Sequence, residues 1–226
     1  MTYDAVIFDL DGVLLTGRQT SDAVYQRATA AMLGAYGKSE IETWPKALDN
    51  PDSSEEFANA CETLAIPAGP AWGYRERTAT QYESERIASG ERAVFDDATA
   101  LHTLSSTAKI GIVSNNRHCL VAYCVDTLDW GTTITAYRGR YPTLPDYDRM
   151  KPDPTYLAAT IDQLNGDSVL FVGDRRSDVL TANRVGCDSA LLSRDGEIPA
   201  GNAEPTVHIT TLHELVQIQE NGIETI

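Results

Sequence analysis

Short apolar runs recur along the chain, and each is too short to form a helix of ordinary length. They lie at residues 3–8, 109–113, 168–172, 189–192 and 206–209. Nearly every position in these runs is apolar, which is typical of parallel strands that are buried on both faces of a sheet. We therefore interpret them as the strands of a parallel β-sheet.

Segments with helical spacing separate these runs from one another. They cover residues 97–108, 117–128, 153–164 and 177–185. Asp153 followed by Pro154 suits a helix start, and Gly186 follows the last segment at the position where a helix end is favoured. The alternation of strands and helices predicts an α/β fold with a three-layer, Rossmann-like parallel sheet.

One long stretch, residues 16–91, breaks this alternation, because it shows helical patterns and no convincing strand. Helices are predicted at 21–35, between Ser53 and Pro67, and at 71–89. The segment Ser53-Ser54-Glu55-Glu56 resembles a capping box, which marks a helix start. We expect an all-helical domain at 16–91, inserted between residues 1–15 and 92–226 of an α/β core.

The charge balance restricts the possible partners. The chain carries 33 acidic and 18 basic residues, a formal net charge of −15, and only four of the basic residues are lysines. This excess of negative charge argues against nucleic acid and anionic membranes as partners. An acidic surface with few lysines suits concentrated salt, where screening removes the self-repulsion of the surface. We predict a halophilic source, and an ordinary acidic protein is the alternative.

The sequence shows no pattern expected of a targeting signal, and its cysteines and histidines do not form a metal-binding pattern. No apolar run approaches the roughly 20 residues of a membrane span, and no basic stretch precedes an apolar one at the N-terminus. We therefore predict a cytoplasmic protein that does not enter membranes. The four cysteines form no CxxC pair and the histidines are scattered. We expect reduced cysteines in the core and no histidine-based metal site.

Polar clusters lie at or beside the ends of the predicted strands. Asp9 and Asp11 follow the first strand, residues 114–116 (Ser-Asn-Asn) follow the second, and residues 173–178 (Gly-Asp-Arg-Arg-Ser-Asp) follow a later one. Lys151 lies just before a predicted helix. Because ligands bind beyond the carboxyl ends of strands in an open parallel sheet, we expect these groups to form one site for a metal ion and an anion.

Phosphoryl transfer gives each of these groups a physical role. The Asp9 carboxylate can attack phosphorus in line, and Asp11 can protonate the leaving oxygen and then deprotonate the attacking water. A Mg²⁺ ion would allow the acids to approach a phosphate, with Asp174 as the second carboxylate that binds the metal. The Ser114 hydroxyl and the Lys151 ammonium could hold the phosphate oxygens.

In this order, the segments resemble those of the haloacid dehalogenase (HAD) superfamily, and within it the phosphatases with a helical cap, such as the phosphoglycolate phosphatases. The residues that carry the resemblance are FDLDGVL at 8–14, IVSNN at 112–116, MKPDP at 150–154 and VGDRRSD at 172–178. The resemblance covers the whole chain. It implies that residues 16–91 form a mobile cap, which closes over the site to exclude water and select the substrate.

The resemblance also implies a role for each site residue. Asp9 is the nucleophile and Asp11 the general acid/base, and Asp178 supports the metal through water or without direct contact. The implied Mg²⁺ ligands are Asp9, the Asp11 main-chain carbonyl and Asp174. The implied phosphate-binding residues are Ser114, Asn115 and Lys151.

The implied function is Mg²⁺-dependent hydrolysis of a small phosphorylated metabolite, of the phosphoglycolate or sugar-phosphate type, through an aspartyl-phosphate. We expect a monomer or a homodimer. Asp11 argues against a dehalogenase, because the dehalogenases of the superfamily lack this second aspartate. A phosphonate hydrolase would need a cap lysine, and nothing marks Lys38 or Lys46 for that role. A phosphosugar mutase and a non-catalytic module that binds phosphate or a partner stay open as alternatives.

Substrate choice should depend on the cap, where the sequence is hardest to interpret. Possible contacts to an anionic small molecule are Arg18, Trp44, Trp72, Tyr74, Arg75 and Arg77. For each of them, a place in the aromatic core or a solvated arginine is the more frequent role. The pair Arg175-Arg176 either points into solvent or reaches the substrate.

Overall fold

The sheet lies at the centre of the molecule. The computed structural model describes residues 2–196 and 203–221, and in this part of the chain all pairs of neighbouring strands are parallel. The strands are β1 Ala5–Phe8, β2 Lys109–Arg117, β3 Ile134–Arg140, β4 Val169–Gly173, β5 Asp188–Leu192 and β6 Val207–Ile209. Their order across the sheet, β3-β2-β1-β4-β5-β6, is Rossmann-like. The predicted α/β fold is confirmed.

Strand β1 occupies the middle of the sheet and is buried along its whole length. Its last residue, Phe8, pairs with Ile112 of β2 on one side and with Val172 of β4 on the other. The residues that come after Phe8, Ile112 and Val172 therefore lie side by side at one edge, which is where the polar clusters of the sequence lie. Residues 114–116 belong to the last part of β2 itself.

Helices cover both faces of the sheet. The helices are α1 Asp22–Ala35, α2 Ser54–Thr63, α3 Ala68–Ala88, α4 Ala100–Leu104, α5 His118–Thr127, α6 Leu144–Tyr147, α7 Thr155–Leu164, α8 Arg176–Val185 and α9 His213–Asn221. Apolar residues of α4, α5 and α9 share one core with the sheet, and those of α7 and α8 share the other. The result is the predicted three-layer arrangement.

The stretch between residues 16 and 91, all of it described, contains helices and no strand. Its own apolar cluster includes Met32 of α1, Phe57 of α2 and Trp72 of α3. The predicted helix start at Ser53 is present, since its side chain accepts a hydrogen bond from the Glu56 N–H. The division into core and cap at residues 15/16 and 91/92 stays a prediction.

The chain enters and leaves this helical stretch through two adjacent segments. The Thr16 N–H donates to the Ala93 carbonyl, and the Phe95 N–H donates to the Leu14 carbonyl, at 2.8 and 3.0 Å. Because these two segments are hydrogen-bonded to each other, both ends of the helical stretch are anchored at the same place, beside the end of β1.

Several elements differ from the sequence-based prediction, and the helices α6 and α9 lie where no helix was predicted. Strand β3 was not predicted, because buried and exposed residues alternate at its start, as expected of an edge strand, so it forms no apolar run. The helix expected at 97–108 is shorter: a 3₁₀ turn, Asp96–Thr99, precedes α4, which ends at Leu104.

The cysteines follow the expected pattern only in part. Cys61 and Cys124 are buried and Cys187 is half-buried, but Cys119 is exposed, so the expected core position is wrong for Cys119. Among the described residues, no helix is both long and apolar enough to cross a membrane.

Candidate active site

Three aspartates from two strand ends meet at the edge of the sheet. Asp9 follows β1, Asp174 follows the neighbouring β4, and Asp178 lies in the first turn of α8. One carboxylate oxygen of each lies within 4.8 Å of the others. The Asp9 N–H donates to the Val172 carbonyl at 2.8 Å, which ties the residue after β1 to β4.

Lys151 supplies the positive charge of this cluster. Its ammonium lies 3.0 Å from Asp9 Oδ1 and 2.7 Å from Asp178 Oδ1, and it donates to the Val113 carbonyl at 3.3 Å. Burial disfavours the charged ammonium, but the carboxylates of Asp178 and Asp9 outweigh burial and raise the pKa of Lys151. Lys151 is therefore a charged group in a buried site.

Asn115 and Ser114 connect the end of β2 to this cluster. The Asn115 Oδ1 accepts a hydrogen bond from the Lys151 N–H at 2.7 Å, and its Nδ2 donates to the Lys151 carbonyl at 3.3 Å. The Ser114 hydroxyl is buried and accepts a hydrogen bond from the Asn116 N–H. Asn115 thus orients the loop that carries Lys151, a role that the sequence did not suggest.

Asp178 is held in place by the turn into α8. Its Oδ2 accepts a hydrogen bond from the Arg175 N–H at 3.0 Å. A Cβ at Gly173 would lie 2.3 Å from the Asp178 Cβ, so only glycine permits this approach. The structure thus brings Asp178 into the same carboxylate group as Asp174. Its predicted role, to support the metal through water or without direct contact, stays a prediction.

The carboxylate group fits a hard divalent cation. Burial, together with the charges of Asp9 and Asp178, raises the pKa of Asp174 to about 7. Asp174 Oδ1 is buried and has no hydrogen-bond partner among the described residues. The nearest cations, Arg18 and Arg175, lie 3.7 and 3.8 Å from the two carboxylate oxygens. Clustered carboxylates with a free oxygen are the ligand set that Mg²⁺ accepts.

Asp11 has different neighbours from Asp9, although the two are close in sequence. Asn116 Nδ2 donates to its Oδ2 at 2.8 Å, and Arg92 Nη2 donates to its Oδ1. Burial raises the pKa of Asp11, while Arg92 acts in the opposite direction. A raised pKa favours the protonated acid that a leaving oxygen needs.

The sequence analysis did not single out Arg92, and it assigned no individual role to Asn116. Arg92 is buried between Asp11 and Glu83 of α3, whose Oε1 lies 2.6 Å from Arg92 Nη1. Asn116 could have been found, because it continues the Ser114-Asn115 pair at the end of a strand. Arg92 could not, because its partners are distant in sequence and arginines are common at the ends of helical segments.

A family comparison agrees with this geometry. Residues 3–186 match the model of the haloacid dehalogenase-like hydrolases. The chain belongs to this family. The predicted superfamily is therefore confirmed.

Two relatives of this HAD-like hydrolase are phosphoglycolate phosphatases. The protein of Photorhabdus laumondii is 30% identical over 190 residues, covering 81% of this chain and 77% of the relative. The protein of Salmonella typhi is 28% identical over 236 residues, covering 93% and 90%. Family and relatives confirm the predicted enzyme class, a phosphoric monoester hydrolase.

A solved structure with a similar fold is the 2-haloacid dehalogenase of Pseudomonas syringae pv. Tomato DC3000. It superposes with a TM-score of 0.65 at 17% identity, covering 97% of this chain and 99% of that one. At this identity the likeness concerns the fold alone. The same fold thus serves a dehalogenase, so the chemistry must be argued from the side chains of the site.

The candidate substrate contacts of the helical stretch separate into groups. Trp72 is fully buried and packs edge-on against Phe57, so it is a core residue. Arg77 is exposed. Trp44 and Tyr74 are partly buried against the apolar cluster of this stretch. Arg18 and Arg75 line the cavity above the aspartates.

That cavity has a volume of about 200 Å³. Its lining includes Asp9, Asp11, Ser114, Asn115, Lys151 and Asp178. Of the arginine pair, Arg175 lines the cavity and donates to the Arg18 carbonyl, whereas Arg176 is exposed. The cavity thus brings together the predicted site residues other than Asp174, which lies beside Asp9 and Asp178 in the carboxylate group. The role of each residue stays a prediction.

Proposed function

We propose that this HAD-like hydrolase is a Mg²⁺-dependent phosphatase that removes phosphate from a small metabolite through an aspartyl-phosphate. One observation carries the proposal: Lys151 bridges Asp9 and Asp178 beside Asp174, while Asp11 is held separately by Arg92 and Asn116. The two aspartates of one segment thus have the different surroundings that a nucleophile and a proton carrier require.

In the first half-reaction, an Asp9 carboxylate oxygen attacks phosphorus, and the bond from phosphorus to the ester oxygen breaks. Asp11 donates its proton to the departing oxygen. Mg²⁺ held by Asp9, Asp174 and the Asp11 main-chain carbonyl would neutralise the charge of the phosphate. Ser114, Asn115 and Lys151 bind the remaining phosphate oxygens, and Lys151 places its positive charge where negative charge develops.

In the second half-reaction, Asp11 takes a proton from water, whose oxygen attacks the phosphorus. The bond from phosphorus to Asp9 breaks, and inorganic phosphate leaves. Both proton transfers need Asp11 in a fixed position, which Arg92 and Asn116 provide. Such acid-base assistance contributes about 10² to 10⁴ in rate.

The helical stretch at 16–91 is the cap in this proposal. It carries Arg18 and Arg75 into the cavity that also contains Asp9 and Lys151. A cap that covers the phosphate would exclude water during the first half-reaction and admit it for the second. The substrate class that the relatives suggest is phosphoglycolate or a similar small ester.

Asp9→Asn tests the covalent mechanism. We expect phosphate release from a panel of phosphorylated metabolites with Mg²⁺ to fall to background, because an amide does not attack phosphorus. The fold should persist, since the substitution removes one of three mutually repelling carboxylates. Release is measured as inorganic phosphate, and folding by the thermal midpoint.

Asp162→Asn is the matched control, because Asp162 is an exposed residue of α7, and it should retain full activity. Full turnover by Asp9→Asn would rule out the aspartyl-phosphate. Conversion of one sugar phosphate into another without net phosphate release would instead identify a mutase.

A further inference from the structure

A buried cluster of arginines lies in the helical stretch and at the ends of β2 and β3. Arg75, Arg117 and Arg140 are each only 2% exposed. Glu76 is the buried carboxylate that pairs with them: it lies 2.5 Å from Arg75 Nη1 and 2.8 Å from Arg140 Nη1. Among the described residues, three buried guanidinium groups therefore face one buried carboxylate, which leaves two positive charges without a buried negative partner.

Several donors of this cluster are also unsatisfied. Arg117 Nε and Nη1 and Arg75 Nε have no hydrogen-bond partner among the described residues. Burial and the neighbouring charges of Arg140 and Arg117 lower the pKa of Arg75, although the Glu76 carboxylate acts in the opposite direction. Buried donors and charges are normally paired, and the exceptions call for a partner that arrives with a ligand.

The arginine cluster adjoins the cavity of the catalytic carboxylates. Arg75 and Arg140 line the same cavity as Asp9 and Lys151. Arg140 Nε donates to the Asn115 carbonyl at 3.4 Å. The arginine cluster therefore contacts the residue that directly follows Ser114 in the chain.

An aromatic ring and a hydroxyl group hold two of these arginines. The Tyr25 ring, which also lines the cavity, lies 4.7 Å from the Arg75 guanidinium carbon and 5.3 Å from that of Arg117. Arg117 Nη2 donates to Thr20 Oγ1 at 2.8 Å. The cavity lining also contains the acidic residue Asp22, close in sequence to Tyr25. Because Asp22 is exposed, solvent screens its negative charge from the arginines.

We propose that Arg75, Arg117 and Arg140 form a subsite for a second anionic group of the substrate, carried on the part that leaves with the ester oxygen. This rests on the proposed phosphatase function. Guanidinium groups bind carboxylates and phosphates through paired hydrogen bonds. The small cavity must hold the scissile phosphate as well, which favours a compact carboxylate.

The alternative is that the cluster only ties α3 to β3 through Glu76 and Arg140. The two explanations differ in substrate dependence. If the arginines only hold α3 against β3, their loss should change the hydrolysis of every ester alike. If they form an anion subsite, their loss should change only the hydrolysis of esters that carry the second charge.

The test compares 2-phosphoglycolate with 2-hydroxyethyl phosphate, in which an uncharged hydroxymethyl group replaces the carboxylate. We expect kcat/KM of the wild-type enzyme to be about 100-fold higher for phosphoglycolate, because the neutral ester leaves the arginines unpaired. Ethane-1,2-diol bisphosphate, measured alongside, reports whether the second anion can also be a phosphate.

Arg75→Gln and Arg117→Gln should each lower kcat/KM for phosphoglycolate about 10- to 100-fold and change that for 2-hydroxyethyl phosphate less than about threefold. Arg75→Lys should recover part of the loss, and it remains informative if Arg75→Gln does not fold. Arg77→Gln, an exposed arginine of the same helix, is the control and should match the wild type for both esters.

Each result bears on one claim. Equal kcat/KM of the wild type for the charged and neutral esters overturns the subsite, as does an equal loss for both esters in the glutamine variants. Absence of phosphate release from every ester overturns the phosphatase function itself. The thermal midpoint of each variant separates loss of folding from loss of recognition.

Discussion

At the scale of the residue, the site depends on where single side chains are kept apart or brought together. Asp9 and Asp11 are two positions apart, yet Asp9 contacts Lys151 while Asp11 contacts Arg92. Gly12 allows the chain to turn directly after Asp11 and to pass close to Asp174. Its φ of +80° lies in the left-handed region, and its Cα faces the Asp174 carboxylate.

Gly12→Ala should abolish activity. An added Cβ would lie 2.3 Å from Asp174 Oδ2, so the carboxylate must move away from Asp9. Gly37→Ala is a matched control, because Gly37 has a φ of +70° and nothing within 4 Å of the added Cβ. Both variants should lose about 1–2 kcal/mol of unfolding free energy from the left-handed backbone. Only Gly12→Ala should lose phosphate release, and equal activity of the two variants would contradict this account.

At the scale of the element, ion pairs join segments that the sequence keeps far apart. Asp97, before α4, accepts hydrogen bonds from Arg194 at 2.7 and 2.9 Å and from the Leu212 N–H at 2.9 Å, just before α9. Glu83 of α3 reaches Arg92 in the same way. Such contacts hold the helices of one face against the sheet and the helical stretch against the core.

Asp97→Asn should lower the unfolding free energy by about 1–3 kcal/mol at pH 7, because it removes charge-assisted hydrogen bonds. Burial alone would raise the pKa of Asp97, but Arg194 and the Leu212 N–H outweigh it and lower the pKa. A lowered pKa gives stability that is present above the unfolded value of about 4 and is lost as the pH falls through the folded value.

Urea unfolding of Asp97→Asn and the wild type at several pH values measures this effect. The difference between them should shrink as the pH falls below about 4. Asp96→Asn, at an exposed neighbour, should match the wild type throughout. A difference that stays constant down to pH 2 would show that the carboxylate charge of Asp97 is not what stabilises the fold.

At the scale of the whole molecule, the net charge of −15 dominates the surface. Of the four lysines, Lys151 is buried in the carboxylate cluster, and the exposed Lys109 donates from Nζ to the Leu164 carbonyl at 2.6 Å. Few lysines are left to balance the surface acids. The self-repulsion should therefore depend strongly on ionic strength.

Raising potassium chloride from about 0.05 to 1 M shortens the screening length from more than 10 Å to about 3 Å. We expect the urea midpoint of unfolding to rise over this range, as a halophilic protein requires. Sucrose at equal osmolality is the control, because it adds no ions. If the midpoint without added salt equals that in molar potassium chloride, the halophilic prediction is wrong.

Much of the molecule was predictable from the sequence, since local rules dictate it. The apolar runs become β1, β2, β4 and β5 because a strand buried on both faces needs apolar side chains at nearly every position. The run at 206–209 becomes the edge strand β6, in which His208 is exposed. The capping pattern at Ser53 and the glycine after α8 mark helix ends for equally local reasons. Asp9, Asp11, Lys151 and Asp174 were found because strand ends and motif order place them at one edge.

Only the tertiary structure decided the rest, because the relevant partners are distant in sequence. Buried and exposed residues alternate at the start of β3, so its pairing with β2 is needed to recognise it as a strand. The roles of Arg92 and Glu83 follow from their ion pairs around Asp11, and Arg75 and Arg140 of the proposed anion subsite were recognised because they line one cavity. Long-range electrostatics depends on distances in space, and a sequence pattern specifies only distances along the chain.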